Sequence, residues 1–204
     1  MLTDELREQI PYYLTKEAGE GILKELASYN CKTDIFLQRE IEGILQGDGW
    51  RGFTLYDFQS SSTRSVRAIV ISNSCDIDAT NKREMPTQVT FVPLMKLSKV
   101  EEVFLNSGCS QQAVSQKIKD IRAQKVTSFF FIPGQGTLDD DYVAWLSNVH
   151  SMPMASFTAT ESKQRLFTLN MTGFYLFLFK LSIHFCRFHE RVDRFHLPNT
   201  MLNP

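Results

Sequence analysis

Apolar and polar residues alternate through the middle of the chain, which is the pattern of half-buried β-strands. The strongest run is rich in β-branched residues, and weaker runs precede and follow it. Polar or Gly/Pro-containing stretches separate the runs, as turns separate strands. The pattern predicts strands at residues 52–58, 66–72, 89–94, 127–132, 142–146 and 166–170.

Before these strands, apolar residues recur at helical spacing. The spacing predicts helices over residues 3–29 and 35–45, with Thr3 as the first cap. The sequence Gly47-Asp48-Gly49 ends the second helix, because glycine is a poor helix former. The first 47 residues, 1–47, are therefore predicted to form a helical N-terminal region.

Helical spacing returns inside the strand-rich part and after it. Two helices are predicted between the third and fourth strands, within residues 97–124. A long last helix, 172–195, carries apolar residues on so much of its surface that little of its first half can face water. Such a helix is buried in its own fold or against a partner.

Length, charge and cysteine usage narrow the class of protein. A chain of 204 residues fits one domain, 1–204. The net charge of −1 does not support non-specific nucleic-acid binding, although it leaves such binding possible. The four cysteines form no CxxC pair, the N-terminus has no signal-peptide pattern, and the apolar run 173–179 is too short to span a membrane. These observations predict free thiols, a cytoplasmic location and no membrane partner.

The most suggestive chemistry lies where the strongest strand ends, at the sequence Ser72-Asn73-Ser74-Cys75-Asp76. Polar groups at strand ends often bind ligands or act in catalysis. A catalytic Cys75 needs a nearby base or positive charge to form thiolate, and the adjacent carboxylate of Asp76 opposes this. Three interpretations remain open: catalysis by Cys75 and Asp76, ligand binding through Ser72 and Ser74, or a structural Asx or Ser turn with Cys75 buried as a small apolar group.

A second candidate is a polar face of the last helix, formed by residues three or four positions apart. Its arginines could hold a phosphate or a carboxylate, since guanidinium groups donate bidentate hydrogen bonds. Alternatively, the face is solvated and carries local ion pairs. The residues are His184, Arg187, Glu190, Arg191 and Arg194.

No metal site or cofactor is expected from the sequence. His184 and His189 are five residues apart, which does not suit adjacent helical ligands. The acidic run 139–141 has the character of a solvated turn. The glycines form neither a GxGxxG motif nor a P-loop.

Residues 51–94 resemble the opening of the PemK-type toxins, a family of small SH3-like β-barrel endoribonucleases. The similarity consists of Arg51-Gly52 with Leu55, Asp57 and Phe58, then residues 67–72, then residues 89–94. The resemblance implies an SH3-like barrel. The family has a hydroxyl residue just after the third strand, where this sequence has Met95. The candidates that remain for the acid/base group of an endoribonuclease are therefore Arg64 and Arg67.

The Ser-x-Ser-Cys-Asp-Ile segment, the later Phe-x-Ile-Pro and the arginine-rich last helix resemble a group of bacterial proteins with no agreed function. This second resemblance implies a bacterial or phage origin. It transfers no activity.

Together these observations predict an α+β fold. Its centre is a small SH3-like β-barrel or a curved antiparallel sheet over residues 50–146, with a helical insertion, N-terminal helices and a long C-terminal helix. The predicted function is a binding or interaction module with a protein partner or a second copy, for example an accessory subunit of a bacterial defence or toxin-like system. The Arg67 side chain is a further candidate binding group. The alternative is an enzyme centred on Cys75 and Asp76, either a PemK-like endoribonuclease or a thiol-dependent hydrolase.

Overall fold

The computed structural model describes residues 33–81 and 83–186. Strands dominate the first part of this range, and helices interrupt and follow them. In chain order the elements are β1 (Gly49–Asp57), β2 (Ser62–Val70), α1 (Ser74–Ile77), β3 (Gln88–Lys96), α2 (Leu97–Asn106), α3 (Gln111–Arg122), β4 (Phe129–Ile132), β5 (Tyr142–Trp145), β6 (His150–Pro153), α4 (Met154–Thr158), β7 (Gln164–Phe167) and α5 (Met171–Cys186).

The strands form one antiparallel sheet in the order β4-β5-β3-β2-β1-β7, and β6 also pairs with β3. Phe91 of β3 pairs with both Val70 of β2 and His150 of β6, so β2 and β6 lie on opposite edges of β3. Strands β5 and β6 therefore follow one another along the same edge of β3.

The sheet is strongly curved but does not close into a barrel. In a flat sheet β6 and β1 would lie about 14 Å apart, because β3 and β2 separate them. Their Cα atoms nevertheless come within 8 Å of each other, and no ladder joins them. The predicted α+β class, the curved antiparallel sheet and the helical insertion between the third and fourth strands are confirmed.

A β-bulge bends β1 near its start. The register against β2 shifts between Arg51 and Phe53, and Gly52 between them has a φ of 105°. A Cβ at this position would lie 2.9 Å from the Cα of Lys163, in the loop before β7. Glycine is required there by both the left-handed backbone and the close approach of that loop.

Helix α5 covers one face of the sheet. Phe177 of the helix is fully buried, and its ring centroid lies 5.0 Å from that of Phe130 on β4. Segment 33–37 packs beside the helix, where Phe36 forms an isolated bridge with Leu169. The core on this face contains Ile69, Val92, Ala144 and Leu181 among its buried side chains.

The opposite face carries two separate groups of buried side chains. Near β1, the ring of Phe53 stacks between Phe91 and Phe157, with centroid distances of 4.3 and 4.2 Å. Near β4, helices α2 and α3 cover Phe131 and Val143. Alternation along β3 directs Phe91 and Met95 to this face and Val92 and Leu94 to the face of α5.

The helix predicted over residues 35–45 is wrong, so the described part of region 1–47 is not helical. The side chain of Asp34 accepts a hydrogen bond from the amide of Phe36, and a local bond of this kind competes with a helical turn. Phe36 then joins the sheet edge, and Gly43 and Gly47 have positive φ angles. The helix predicted over residues 3–29 lies outside the described residues.

The C-terminal helix is present from Met171, and the remainder of the predicted range 172–195 after Cys186 lies outside the described residues. The last strand is β7, which begins two residues earlier and ends three residues earlier than the predicted range 166–170. Strand β6 and helices α1 and α4 were not predicted. In the part of the chain that the structure describes, none of the helices has the length and apolar character needed to cross a bilayer.

Candidate functional site

The turn that follows β2 is held together by the side chains of its two serines. The amide of Ile71 donates to the carbonyl of Thr90 over 2.8 Å, which continues the ladder with β3. The Oγ of Ser72 then accepts from the amide of Thr90 over 2.8 Å, in the place of a backbone carbonyl. Ser72 thus ends the β2–β3 ladder without leaving the amide of Thr90 unpaired.

Ser74 connects the turn to the loop that precedes β1. Its Oγ accepts from the amide of Gln46 over 2.9 Å, and the Gln46 side chain donates to the carbonyl of Ile71 over 2.6 Å. Two hydrogen bonds therefore fix the 41–48 loop against the strand end. The described contacts of Ser72 and Ser74 are structural, and their proposed roles in ligand binding stay predictions.

Asn73 starts helix α1 as its N-cap. Its Oδ1 accepts from the amide of Cys75 over 2.9 Å, which forms the Asx turn that the sequence allowed. The side chain of Cys75 is exposed as a free thiol, so the burial expected with that turn is wrong. The reason is that α1 buries Ile77 and turns Cys75 towards solvent.

The 78–87 loop folds back onto this helix through Arg83. Its guanidinium donates to the carbonyl of Cys75 over 2.6 Å and lies 3.3 Å from the carboxylate of Asp76. Asn81 donates to the same carbonyl over 2.7 Å. All of these groups are solvent-exposed, and an open groove of about 500 Å³ runs beside Asp76, Arg83 and Met85.

The described histidines contact other parts of the molecule. His150 bonds to Asn148 over 2.9 Å, and the Nε2 of His184 lies 3.2 Å from the Oγ of Ser147. Neither of these hydrogen bonds involves the thiol of Cys75. The catalytic roles of Cys75 and Asp76 stay predictions.

Arg67 lies about 17 Å along the strand from Ser72, so the structure does not bring it to the turn. Its guanidinium donates to Asp139 over 2.6 Å and to the hydroxyl of Tyr142. Lys96 donates to the same carboxylate over 3.1 Å. The hydrogen bond from Lys96 lowers the pKa of Asp139 from its usual value, and the charge of Arg67 contributes to the same shift. Arg67 therefore joins β2 to the 139–142 segment.

His184 is the described member of the polar face predicted on the last helix. It lies at the end of α5, half-buried, where its ring meets that of Phe185 edge to face. Arg187, Glu190, Arg191 and Arg194 lie outside the described residues, so the predicted cationic face stays a prediction.

A surface at the tip of the β1–β2 hairpin was not predicted from the sequence. Phe58 is 85% exposed and Tyr56 is 47% exposed, and their ring centroids lie 4.9 Å apart. The sequence does contain a signal, since Phe58 stands directly before the polar run 59–63. We call these two side chains the aromatic tip.

The aromatic tip borders a cleft of about 440 Å³ between the second half of β1 and β6. Burial, and to a lesser extent the charge of Arg64, lowers the pKa of His150 at the floor of this cleft. The cleft is lined by Thr54, Leu55, Tyr56, Phe58, Thr63, His150, Ser151, Met152, Pro153 and Ser156.

The described residues contain no group of three or more His, Cys, Asp or Glu side chains arranged to hold a metal ion. In comparisons with known proteins, no family model and no curated protein matches the chain.

Proposed function

We propose that the protein is a binding module and that the aromatic tip contacts its protein partner. The observation that carries this proposal is the exposed pair of Tyr56 and Phe58 at the end of a hairpin whose two strands have nine residues each. Each aromatic ring buries about 150–250 Å² when it is covered, and aromatic residues dominate the energy of many interfaces. A ring as exposed as Phe58 contributes little to the stability of its own fold, so a partner is the simplest reason for its position.

The partner is proposed to be a protein, either a different chain or a second copy. The net charge of −1 offers no general attraction to nucleic acid. The resemblance to bacterial proteins supports an accessory subunit of a bacterial defence or toxin-like system. The exposed free thiols of Cys75 and Cys109 suit the reducing cytoplasm.

A second candidate function is an enzyme centred on Cys75 and Asp76. The observation that favours it is the exposed thiol of Cys75, because a thiol that a substrate can reach is the first requirement of a thiol-dependent enzyme, and the backbone carbonyl of the same residue is fixed by Arg83. Its test is the incubation of purified protein with RNA and with thioester or ester substrates. Turnover lost in Cys75→Ala would establish the enzyme. Intact RNA and intact esters would leave the binding module as the function.

The binding proposal is tested by placing the photo-crosslinking residue p-benzoylphenylalanine at position 58 in cells of the natural host. The matched control carries the same residue at Lys99, an exposed position on α2. We expect one defined adduct from position 58, absent from the control and lost when Tyr56→Ser is added. The mass of the adduct separates a second copy from a different protein. No adduct at position 58 above that of the control would contradict the proposal.

A further inference from the structure

The cleft beside the aromatic tip lies between two strand edges. Strand β7 pairs only with the first residues of β1, from Gly49 to Arg51, so the outer edge of the second half of β1 has no neighbouring strand. Strand β6 pairs with β3 along one edge only. The cleft therefore separates two edges of the same sheet that no described strand covers.

Backbone hydrogen bonds at the start of β1 show which groups point into the cleft. The amide of Val70 donates to the carbonyl of Asp48, and its carbonyl accepts from the amide of Gly47, both over 2.9 Å. In an antiparallel pair, every second residue of β2, counted back from Val70, exchanges backbone hydrogen bonds with β1. After the bulge, the β1 residues that take part in these bonds are Phe53, Leu55 and Asp57. Thr54 and Tyr56 consequently direct their N–H and C=O groups to the outer edge.

The same reasoning applies to β6. The amide of Met154 donates to the carbonyl of Thr87 over 2.9 Å, so Met152 and His150 are the next residues that bond to β3. Ser151 between them directs its N–H and C=O away from β3, towards the cleft. Among the described residues, no hydrogen bond is made by these outward groups of Thr54, Tyr56 or Ser151.

The side chains around these edges favour an acidic ligand with apolar residues. Leu55, Met152 and Pro153 give the cleft apolar walls, and its lining contains no aspartate or glutamate. Arg64, opposite Leu55 in the β1–β2 ladder, is close enough to His150 to act on it electrostatically. The nearby carboxylate of Asp57 accepts hydrogen bonds from the amides of the following turn, at Gln59 and Ser60, and the charge of Arg64 also acts on it.

We propose that this cleft binds an extended, acidic segment of a protein partner, which adds as a strand to the outer edge of β1. The inference rests on the proposed binding function and specifies how the partner is held. Backbone bonds to Thr54 and Tyr56 supply affinity in this mode, and the apolar walls and Arg64 select alternate side chains of the ligand. The aromatic tip closes over one end of the bound segment.

The test begins with a random dodecapeptide library displayed on phage and selected against the purified protein. The selected peptide is then synthesised in a series with one backbone amide N-methylated at a time, and its affinity is measured by fluorescence anisotropy. Strand addition predicts alternation, because only every second amide of an added strand faces β1. We expect N-methylation at those positions to weaken binding about tenfold or more, and at the positions between them much less.

A matched pair of protein variants provides the second readout. Thr54→Pro removes an N–H that does not bond to β2, whereas Thr54→Ala keeps it. We expect Thr54→Pro to bind the peptide about tenfold more weakly than Thr54→Ala, because the two variants differ in the N–H at this position. The N-methyl series uses the unaltered protein, so it decides the question even if Thr54→Pro does not fold.

Two outcomes would overturn the inference. One is a selection that yields no binding peptide. The other is a selected peptide whose affinity shows no alternation on N-methylation and does not depend on the amide of Thr54. In either case the crosslinking experiment at position 58 still decides whether the aromatic tip contacts a partner, so the two proposals fail separately.

Discussion

The side-chain amide of Gln124 makes two hydrogen bonds to the backbone of Phe131 on β4. The Nε2 of Gln124 donates to the carbonyl of Phe131 over 2.7 Å, and its Oε1 accepts from the Phe131 amide over 3.1 Å. Strand β4 is at the end of the sheet, where an uncovered edge would offer these groups to another chain. The Gln124 side chain thus acts in place of a neighbouring strand.

We expect Gln124→Ala to destabilise the protein and to make it prone to association. The substitution leaves a buried N–H and a buried C=O without partners, at a cost of about 1–3 kcal/mol each. Urea unfolding measures the loss of stability, and light scattering during partial unfolding measures association. Gln112→Ala, at an exposed position on α3, is the control and is expected to change neither. Equal unfolding midpoints for the two variants would contradict the structural role of Gln124.

Much of the sheet and both inserted helices follow from the sequence, because their apolar periodicity is local and regular. The predicted strand 66–72 is a run rich in β-branched residues that overlaps the buried end of β2, and Val114, Ile118 and Ile121 lie on one buried face of α3. Segment 35–45 was predicted wrongly for the opposite reason. Its apolar residues have helical spacing, but Phe36 is placed by the distant Leu169, and one sequence window does not contain that contact.

The candidate site was predictable only in part. The polar strand end of residues 72–76 is visible in the sequence, and so is its Asx turn. The cleft is not, because it depends on the curvature that brings β6 towards β1 across two other strands. Arg67 was predicted as a candidate binding group, but the sequence does not show that Asp139, 72 residues away, holds its side chain.

A buried ion pair between Asp48 and Arg165 joins β7 to the turn before β1. The Arg165 Nε lies 3.3 Å from Asp48 Oδ2, and its terminal nitrogens donate to the carbonyls of Ile41 and Gly43. Asp48 is fully buried, and this burial raises the pKa of its carboxyl above the usual 3.8, although hydrogen bonds from Leu45 and Trp50 and the charge of Arg165 oppose the rise.

We expect Arg165→Met to lower the free energy of unfolding by about 3–5 kcal/mol near neutral pH, because it leaves the buried carboxylate without its cation. The loss should be smaller at about pH 4.5. Because the pKa of Asp48 in the folded protein lies above 3.8, the folded protein binds the Asp48 proton more tightly than the unfolded chain does. Protonation of Asp48 therefore stabilises the fold as the pH falls through that pKa. Urea unfolding at the two pH values measures the difference.

Arg51→Met is the matched control, since Arg51 is an exposed residue on β1. It is expected to stay within about 0.5 kcal/mol of the parent protein at both pH values. A destabilisation of Arg165→Met that is the same at both pH values would show that Asp48 is not the group left uncompensated.

We expect opposite results from two adjacent substitutions in the turn after β2. Ser74→Ala removes the acceptor of the Gln46 amide and should cost about 1–3 kcal/mol, whereas Cys75→Ala alters an exposed side chain and should cost less than about 0.5 kcal/mol. Urea unfolding compares the two. Native-state alkylation followed by mass spectrometry should label Cys75 in the parent protein. A protected Cys75, or a larger loss from its removal than from that of Ser74, would contradict the described turn.

Lys180 is a buried cation in an otherwise apolar helix. It is 3% exposed, and its ammonium group donates to the carbonyls of Gln124 and Val126, just after α3. Desolvation lowers the pKa of Lys180 from 10.5 to about 8. Between these two values the unfolded chain holds the proton and the folded protein releases it, so this group makes the fold more stable as the pH rises.

We therefore expect the parent protein to gain stability relative to Lys180→Met between about pH 7.5 and about pH 10.5. The shift from 10.5 to about 8 corresponds to a gain of about 3 kcal/mol. The comparison with the variant cancels the titration of the other groups that the two proteins share. Lys119→Met, at an exposed position on α3, is the control and should follow the parent protein at every pH. Parallel stability curves for the parent protein and Lys180→Met across this range would show that the buried ammonium keeps its proton, and that the two carbonyls compensate for its burial.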